Sequence, residues 1–431
     1  MKIGFVSLGC SKNLVDSENI IGLFDDPHFE YESDLKECDV ILINTCGFIL
    51  SAKEEAIDTI LEIAEYKKDR LKKLIVCGCF VQRYFEECKE EFPEVDLFIR
   101  IDDYKNIKSI LESLFGHEMP YGYMEHRKLV NNVHCAYLKI AEGCNNRCAF
   151  CAIPLIRGKY RSRELESLVE EAKELKRQGV KELNVVAQDS TYYGRDLYHK
   201  AMLPELLRRL DEIGFDWVRI LYIYPDEITD ELIDTIKTSK SVLPYFDMPI
   251  QSGSDKVLKS MGRRDTAEGI RDAVRRIREK IPEAIFRTTV IAGFPGESAK
   301  DFEETLELAK EIRFDSLGAF TFSKEEGTKA GDEMEDDVPE EEKNRRYDAL
   351  MSAQQQIVDE KLESCVGKTF KVLIERYEEL FDRYVGRSYM SAPDGIDGVV
   401  YIKAEGLLIG DFQEVTITGV KGYDLYGVIK E

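Results

Sequence analysis

The 431-residue sequence contains no run of about 18 apolar residues, which excludes a membrane-spanning helix. Its start, Met1-Lys2-Ile3-Gly4-Phe5-Val6, runs straight into a strand-like segment, without the long apolar stretch and small-residue cleavage site of a signal peptide. The expected compartment is the cytosol, with no membrane partner. Positive charge is in deficit. Sixty Lys and Arg face 83 Asp and Glu, a net charge of −23. Such a field repels nucleic-acid phosphates at long range and attracts basic partners. Histidine is scarce, with five residues in no base-like constellation, so none is assigned a catalytic role. Internal repeats and low-complexity tracts are missing.

Cysteine is plentiful by contrast. Eleven cysteines in a chain this long, an odd count without an export signal, do not describe a secreted disulfide scaffold. In a reducing compartment, clustered cysteines bind metal or perform redox chemistry.

The length calls for two or three domains. Apolar runs at 3–8, 40–43, 74–76 and 95–99 read as buried strands. Amphipathic segments at 14–24, 51–67, 81–90 and 104–115 lie between them. This alternation predicts a parallel sheet with crossover helices. Residues 116–132, with Gly116, Pro120, Gly122, Asn131 and Asn132, read as a linker. A second series follows, with strands at 135–140, 182–186, 217–223, 245–248, 285–291 and 316–321, and helices such as 167–177 and 300–312. Six βα units suggest a partial or full barrel of the TIM kind, with a doubly wound sheet as the competitor. The acidic run 332–343 reads as a solvated loop leading into a helix at 341–363. From Gly367 onward, short strands at 369–375, 384–388, 398–402, 412–419 and 425–429, separated by turns such as Pro393-Asp394-Gly395, predict a small five-stranded antiparallel β-barrel. The expected domains are 1–118, 130–364 and 366–431, all in an α/β protein.

Cys144, Cys148 and Cys151 form a C-x3-C-x2-C run directly after the first strand of the second series, where barrel active sites lie. Three thiolates can hold three irons of a cubane cluster and leave the fourth iron open to a ligand. A structural zinc, which wants four ligands, and unliganded thiols are the weaker readings. Cys10, Cys46 and Cys79 each follow a different predicted parallel strand, so all three fall at one sheet edge, where ligands bind in open α/β sheets. The residues alone leave this second set open between a ligand set and unliganded thiols. Cys38, Cys77, Cys88, Cys135 and Cys365 do not share the placement and are assigned as buried structural cysteines.

The Cys144 loop, with the aromatic Phe150 before its last cysteine, resembles the signature of the radical S-adenosylmethionine superfamily. The strings Gly9-Cys10-Ser11-Lys12-Asn13-Leu14-Val15-Asp16-Ser17-Glu18, Asn44-Thr45-Cys46-Gly47-Phe48-Ile49 and Gly78-Cys79, with the C-terminal barrel, resemble the methylthiotransferase family over nearly the whole chain. The resemblance implies an N-terminal cluster domain, a radical S-adenosylmethionine (βα)6 partial barrel and a TRAM domain. It implies two [4Fe-4S] clusters, on Cys144, Cys148 and Cys151 and on Cys10, Cys46 and Cys79. It further implies two S-adenosylmethionine molecules, one cleaved to a 5′-deoxyadenosyl radical and one a methyl source. An electron donor such as flavodoxin or ferredoxin is implied with them.

One family branch modifies an adenosine in tRNA. The other modifies an aspartate β-carbon on small-subunit ribosomal protein twelve, free or on the ribosome. Tyr222-Ile223-Tyr224-Pro225, Gly386-Arg387-Ser388-Tyr389, Ala392-Pro393 and Ile396-Asp397-Gly398 resemble the ribosomal-protein branch, whereas Gln251-Ser252-Gly253-Ser254-Asp255 is nearer the tRNA branch. Residues 366–431 hold eight basic and eleven acidic side chains, a net of −3, where an RNA-binding barrel would carry a basic face. The substrate expected is therefore the ribosomal protein, with tRNA second and a non-catalytic cluster-bearing RNA-binding or assembly factor third.

By the same resemblance Gln188 and Asp189, Gln251 and Ser252, and the backbone at Gly293 are candidate S-adenosylmethionine contacts, each just past a barrel strand. Their alternative is plain turn residues. Arg157, Arg161 and Arg163 are read as a grip for the substrate carboxylate or as a solvated basic face. Tyr384, Tyr389 and Tyr401 are read as barrel core or as base-stacking surfaces.

Overall fold

The computed structural model describes residues 1–130, 133–393, 395 and 397–430. Asn131 and Asn132 of the linker, Asp394 and Ile396 of the C-terminal motifs, and Glu431 lie outside the described residues. The chain falls into two compact units. One is Met1–Asn131 with Glu142–Asn145 and Cys151–Tyr160; the other is Asn132–Ala141, Asn146–Phe150 and Arg161–Glu431.

The first unit is built on five parallel strands: β1 (Lys2–Ser7), β2 (Glu30–Tyr31), β3 (Val40–Thr45), β4 (Lys73–Gly78) and β5 (Leu97–Ile99), in the order β2-β1-β3-β4-β5. All six residues of β3 are buried, as a strand covered on both faces requires. The period of two divides them between two cores. Val40 and Leu42 pack with Ile20 and Leu23 of α1 (Ser11–Leu23) and with Ile107 and Leu111 of the helix Ile107–Phe115. Ile41 and Ile43 pack with Ala56, Ile60 and Ile63 of α2 (Leu50–Ala64). The helix predicted over 81–90 is broken at Tyr84 into α3 (Cys79–Arg83) and α4 (Phe85–Glu91). Tyr84 leaves helical geometry, packs its ring at a tilt 5.3 Å from that of Phe80 and accepts a hydrogen bond from Lys53, contacts that periodicity does not record. The edge strand β2, two residues long, is below what alternation can signal.

The second unit opens with six parallel strands: β6 (Cys135–Lys139), β7 (Glu182–Val186), β8 (Trp217–Ile220), β9 (Tyr245–Asp247), β10 (Ile285–Ala292) and β11 (Ser316–Thr321). They form two ladders, β8-β7-β6 and β9-β10-β11, joined by a parallel bridge between Val218 and Val242 and by the Ile223 N–H donated to Asp247 O at 2.8 Å. Strands thus neighbour one another in chain order, without the reversal of a doubly wound sheet. The acidic run 332–343 is only partly the solvated loop expected. Its last residue, Lys343, is buried and donates to Asp336 at 2.8 Å and to Phe322 O at 3.2 Å.

The same unit ends in a closed barrel of β12 (Thr369–Glu378), β13 (Arg383–Arg387), β14 (Val400–Ile402), β15 (Phe412–Lys421) and β16 (Asp424–Ile429), in the cyclic order β12-β13-β14-β16-β15. Four pairings are antiparallel; the β14–β16 pairing is parallel, the one departure from the antiparallel barrel expected. Val372, Ile374, Val400, Ile402, Val415 and Ile417 fill it. The three tyrosines are half-buried at its surface: Tyr384 packs on Tyr377, Tyr389 lies beside the cluster containing Trp217 and Leu373, and Tyr401 sits under the Arg383 guanidinium at 3.5 Å.

Candidate functional site

Cys10, Cys46 and Cys79 follow the carboxyl ends of β1, β3 and β4, adjacent strands of the first unit's sheet. Glycines let their loops close. A Cβ on Gly9, whose φ is +86°, would stand 2.6 Å from Cys46 Cβ, and one on Gly47 would stand 2.7 Å from Phe80 Cα, next to Cys79. Both distances are closer than a side chain tolerates, so each glycine is needed where it stands. Cys10 is the N-cap of α1 and is exposed, while Cys46 and Cys79 are buried.

The three thiols differ in acidity. Although the residue is exposed at the surface, protein packed around the Cys10 sulfur desolvates it and disfavours the thiolate; Lys12, Arg157 and the amides of Asn13 and Lys12 outweigh this and hold the thiol below its usual range. Burial raises Cys46, and it pushes Cys79 up to about 12 against the pull of Arg157. Iron supplies positive charge to such a site and favours thiolates there. The donor set, three cysteines on three strand ends and none in a disulfide, fits a cluster.

Behind the thiols lies a buried polar layer from the first turns of α1. Asn13 donates to Leu8 O at 3.1 Å and to Thr45 O at 2.9 Å. Asn44 donates to Asn13 O and to Ser17 Oγ, both at 2.9 Å. Glu18 accepts from Arg127 Nε at 2.9 Å. Arg157 enters this layer with 1% of its side chain exposed. It bonds to Asp16, Glu142 and Asn13, and its Nη2 lies 3.3 Å from Cys79 Sγ. Neither sequence reading of Arg157 survives: it is no solvated residue, and its donors are committed inside the protein. Arg163 pairs with Glu171 at 2.6 Å and donates to Lys139 O at 3.0 Å, and Arg161 is exposed. The polar stripe Asn13, Asp16, Ser17 on a helix otherwise buried was a readable signal for this layer.

In the Cys144 loop, Cys144 is buried and its N–H donates to Gly158 O at 3.1 Å. Cys148 and Cys151 are half-buried. Cys148 Sγ lies 3.8 Å from Tyr224 Oη, and the Arg263 guanidinium covers the Tyr224 ring at 4.6 Å. The Tyr222–Pro225 string thus acquires a physical role, one tyrosine set against a loop thiol.

The residues past the barrel strands divide into two groups. Asp189 accepts from Asn146 of the cysteine loop at 2.7 Å, from Thr191 at 2.6 Å and from the Tyr192 N–H at 3.1 Å, and burial raises its pKa. Ser252 is buried, 3.1 Å from Thr305 Oγ1, and accepts from the Ser254 N–H. Phe150 packs edge-on to Phe294, and the Cβ space of Gly293 is taken by Lys343. Each of these residues has a partner inside the protein. Gln188 and Gln251 are different: both polar atoms of the Gln188 amide and Oε1 of Gln251 are buried with no hydrogen-bond partner among the described residues. Gln251 also adopts φ +67°, a conformation that costs free energy in a non-glycine residue and gathers at ligand sites. Orphaned buried amides fit a polar ligand such as S-adenosylmethionine.

Of the five cysteines assigned as structural, Cys38, Cys77, Cys88 and Cys365 are buried; Cys135 is half-buried, with Asn184 Nδ2 3.3 Å from its sulfur. Histidines do form one group away from these sites, with His28 Nδ1 2.6 Å from Asp26 and its ring 4.5 Å from that of His117.

The chain matches the radical SAM superfamily over residues 138–309, the uncharacterized protein family UPF0004 over 2–100 and the TRAM domain over 366–429. It is 47% identical to the ribosomal protein uS12 methylthiotransferase RimO of Alkaliphilus oremlandii, an alignment covering 99% of this chain and 98% of that protein. The proteins of the same name from Acetivibrio thermocellus and Clostridioides difficile are 45% and 46% identical at the same coverage. Among solved structures, the radical S-adenosylmethionine methyltransferase TsrM from Kitasatospora setae, with tryptophan and a SAM analog bound, superposes with a TM-score of 0.58 at 14% identity, over 77% of this chain and 75% of that one. This last similarity is one of fold alone.

Proposed function

The chain belongs to the RimO family of ribosomal protein uS12 methylthiotransferases, and from that premise we propose that it replaces a hydrogen on the β-carbon of an aspartate of protein uS12 with a methylthio group. The observation that carries the reading is the meeting of three cysteine-bearing strand ends, β1, β3 and β4, in a chain that also holds the C-x3-C-x2-C loop. Cys144, Cys148 and Cys151 are the ligands proposed for the radical-generating [4Fe-4S] cluster, and Cys10, Cys46 and Cys79 for the second. Bound there, the first cluster and S-adenosylmethionine supply a radical able to take hydrogen from an unactivated carbon.

The chain's own residues bind and orient. Gln188 offers both atoms of its amide, and Gln251 its Oε1, to S-adenosylmethionine. Asp189 holds Asn146, and so the middle of the cysteine loop, in place. Phe150, Asp189, Ser252 and the backbone at Gly293 are proposed as further contacts of S-adenosylmethionine, held in place by Phe294, Asn146, Thr305 and Lys343. The net charge of −23 favours a basic protein over tRNA, and the substrate in the relatives' name is uS12. A flavodoxin or ferredoxin is proposed as electron donor and the cytoplasm as compartment. Among the described residues no helix is long and apolar enough to cross a membrane.

A side-by-side reaction of the reconstituted protein with uS12 and with tRNA tests the proposal. The expected product is uS12 heavier by one methylthio group. A methylthio group on tRNA with none on uS12 overturns it.

A further inference from the structure

Arg157 follows Cys151 in the same loop, yet its segment, Cys151–Tyr160, folds with the N-terminal sheet. Ala152 and Ile156 share a core with Cys79. The guanidinium is 1% exposed, and every nitrogen placed there must be matched, because a buried cation without partners is strongly unfavourable. Nη1 donates to Asp16 Oδ2 at 3.1 Å and to Glu142 Oε1 at 2.8 Å. Nη2 donates to Asn13 Oδ1 and points at Cys79 Sγ, 3.3 Å away. Two carboxylates would suffice to balance one guanidinium. The fork is nevertheless aimed past them, at a sulfur.

Hydrogen bonds to cluster sulfurs and nearby positive charge favour the reduced form, which carries one more electron. On the reading that Cys10, Cys46 and Cys79 hold a [4Fe-4S] cluster, we propose that Arg157 is the positioning residue that sets this cluster's reduction potential, by hydrogen-bonding the Cys79 sulfur and by its charge. The loop that carries one cysteine trio thereby carries the cation that tunes the other. Asp16 trims the effect, since its carboxylate offsets part of the guanidinium charge; Tyr123, which donates to Asp16 at 2.8 Å, keeps that carboxylate oriented.

The full-length chain with Cys144→Ala, Cys148→Ala and Cys151→Ala, reconstituted with iron and sulfide, isolates the N-terminal cluster for a redox titration followed by electron paramagnetic resonance. In this background Arg157→Gln should move the midpoint to a more negative potential at unchanged iron content, and Arg157→Lys should recover part of the shift. Asp16→Asn should move it the opposite way, because the guanidinium is then less neutralised. A merely structural pin would leave the midpoint alone, and general loosening would shift both variants in one direction. An unchanged midpoint in Arg157→Gln at full iron content, or shifts of the same sign in Arg157→Gln and Asp16→Asn, overturns the proposal. Should Arg157→Gln fail to hold iron, the signs of Arg157→Lys and Asp16→Asn decide. A triple-alanine chain that takes up no cluster removes the ligand reading itself, and the proposal with it, which is a different result from an unmoved potential.

Discussion

Arg387 of the C-terminal barrel donates a 2.6 Å hydrogen bond to Glu182, the first residue of β7, with both side chains at 1% exposure or less. Arg219 reaches the other oxygen of Glu182 at 2.9 Å, and its charge lies over the Tyr245 ring at 4.4 Å. Burial opposes the Glu182 carboxylate, but the two arginines prevail and hold its pKa below the usual range. Arg387 therefore anchors the barrel to the βα series; its place in the Gly386–Tyr389 string is structural. Removing one member of such a set strands the others without water. Glu182→Ala should destabilise the protein by about 3 to 5 kcal/mol, read from urea unfolding. A loss within ordinary surface scatter, about 0.5 kcal/mol, would show that the network contributes little.

Gly47 admits no side chain, since its Cβ would stand 2.7 Å from Phe80 Cα. Gly47→Ala should push the Cys46 loop away from the Cys79 loop. Cluster uptake by the reconstituted variant should fall by about half, because one of two clusters loses its geometry. Iron and sulfide analysis checks this, and full uptake would mean the loops have slack that the structure does not show.

Gln188, through both atoms of its amide, and Gln251, through Oε1, differ from their neighbours in having no hydrogen-bond partner there among the described residues. Replacing Gln188 by Leu removes a ligand hydrogen bond worth about 1 kcal/mol. S-adenosylmethionine should then bind about fivefold more weakly, measured by equilibrium dialysis with the reconstituted protein. Asn146→Ala, by contrast, should leave Asp189 buried without one of its donors and cost stability first. Equal effects of both changes on ligand affinity alone would contradict this division of labour.

Asp226 supplies a pH dependence. Burial, helped by the neighbouring Asp265 carboxylate, pushes it up to about 6 from its ordinary 3.8, although Arg264 pulls the other way. The folded chain thus binds the proton more tightly than the unfolded one. Stability from this group is present below pH 3.8 and is lost as pH rises through about 6. Asp226→Asn, neutral throughout, should flatten the Tm profile between those limits. An unchanged slope would show that Asp226 titrates normally.

Much of the architecture was legible in the chain because side-chain periodicity is a local property. The apolar run 40–43 read as a buried strand, the spacing of strands and helices indicated parallel sheets, and so the placement of Cys10, Cys46 and Cys79 at one sheet edge could be drawn before any coordinates. The C-terminal strands were visible by the same alternation. What tertiary structure alone decided is who meets whom. Periodicity identifies strands but not neighbours, so the parallel pairing of β14 with β16 and the consecutive order of β6 to β11 had to be seen. Charge patterning places Arg157 and Lys343 at the surface, yet both are buried, because carboxylates and carbonyls from distant segments converge on them. A buried cation is stable only where such partners already stand, and their positions follow from packing of the whole fold and not from the residues beside it in sequence.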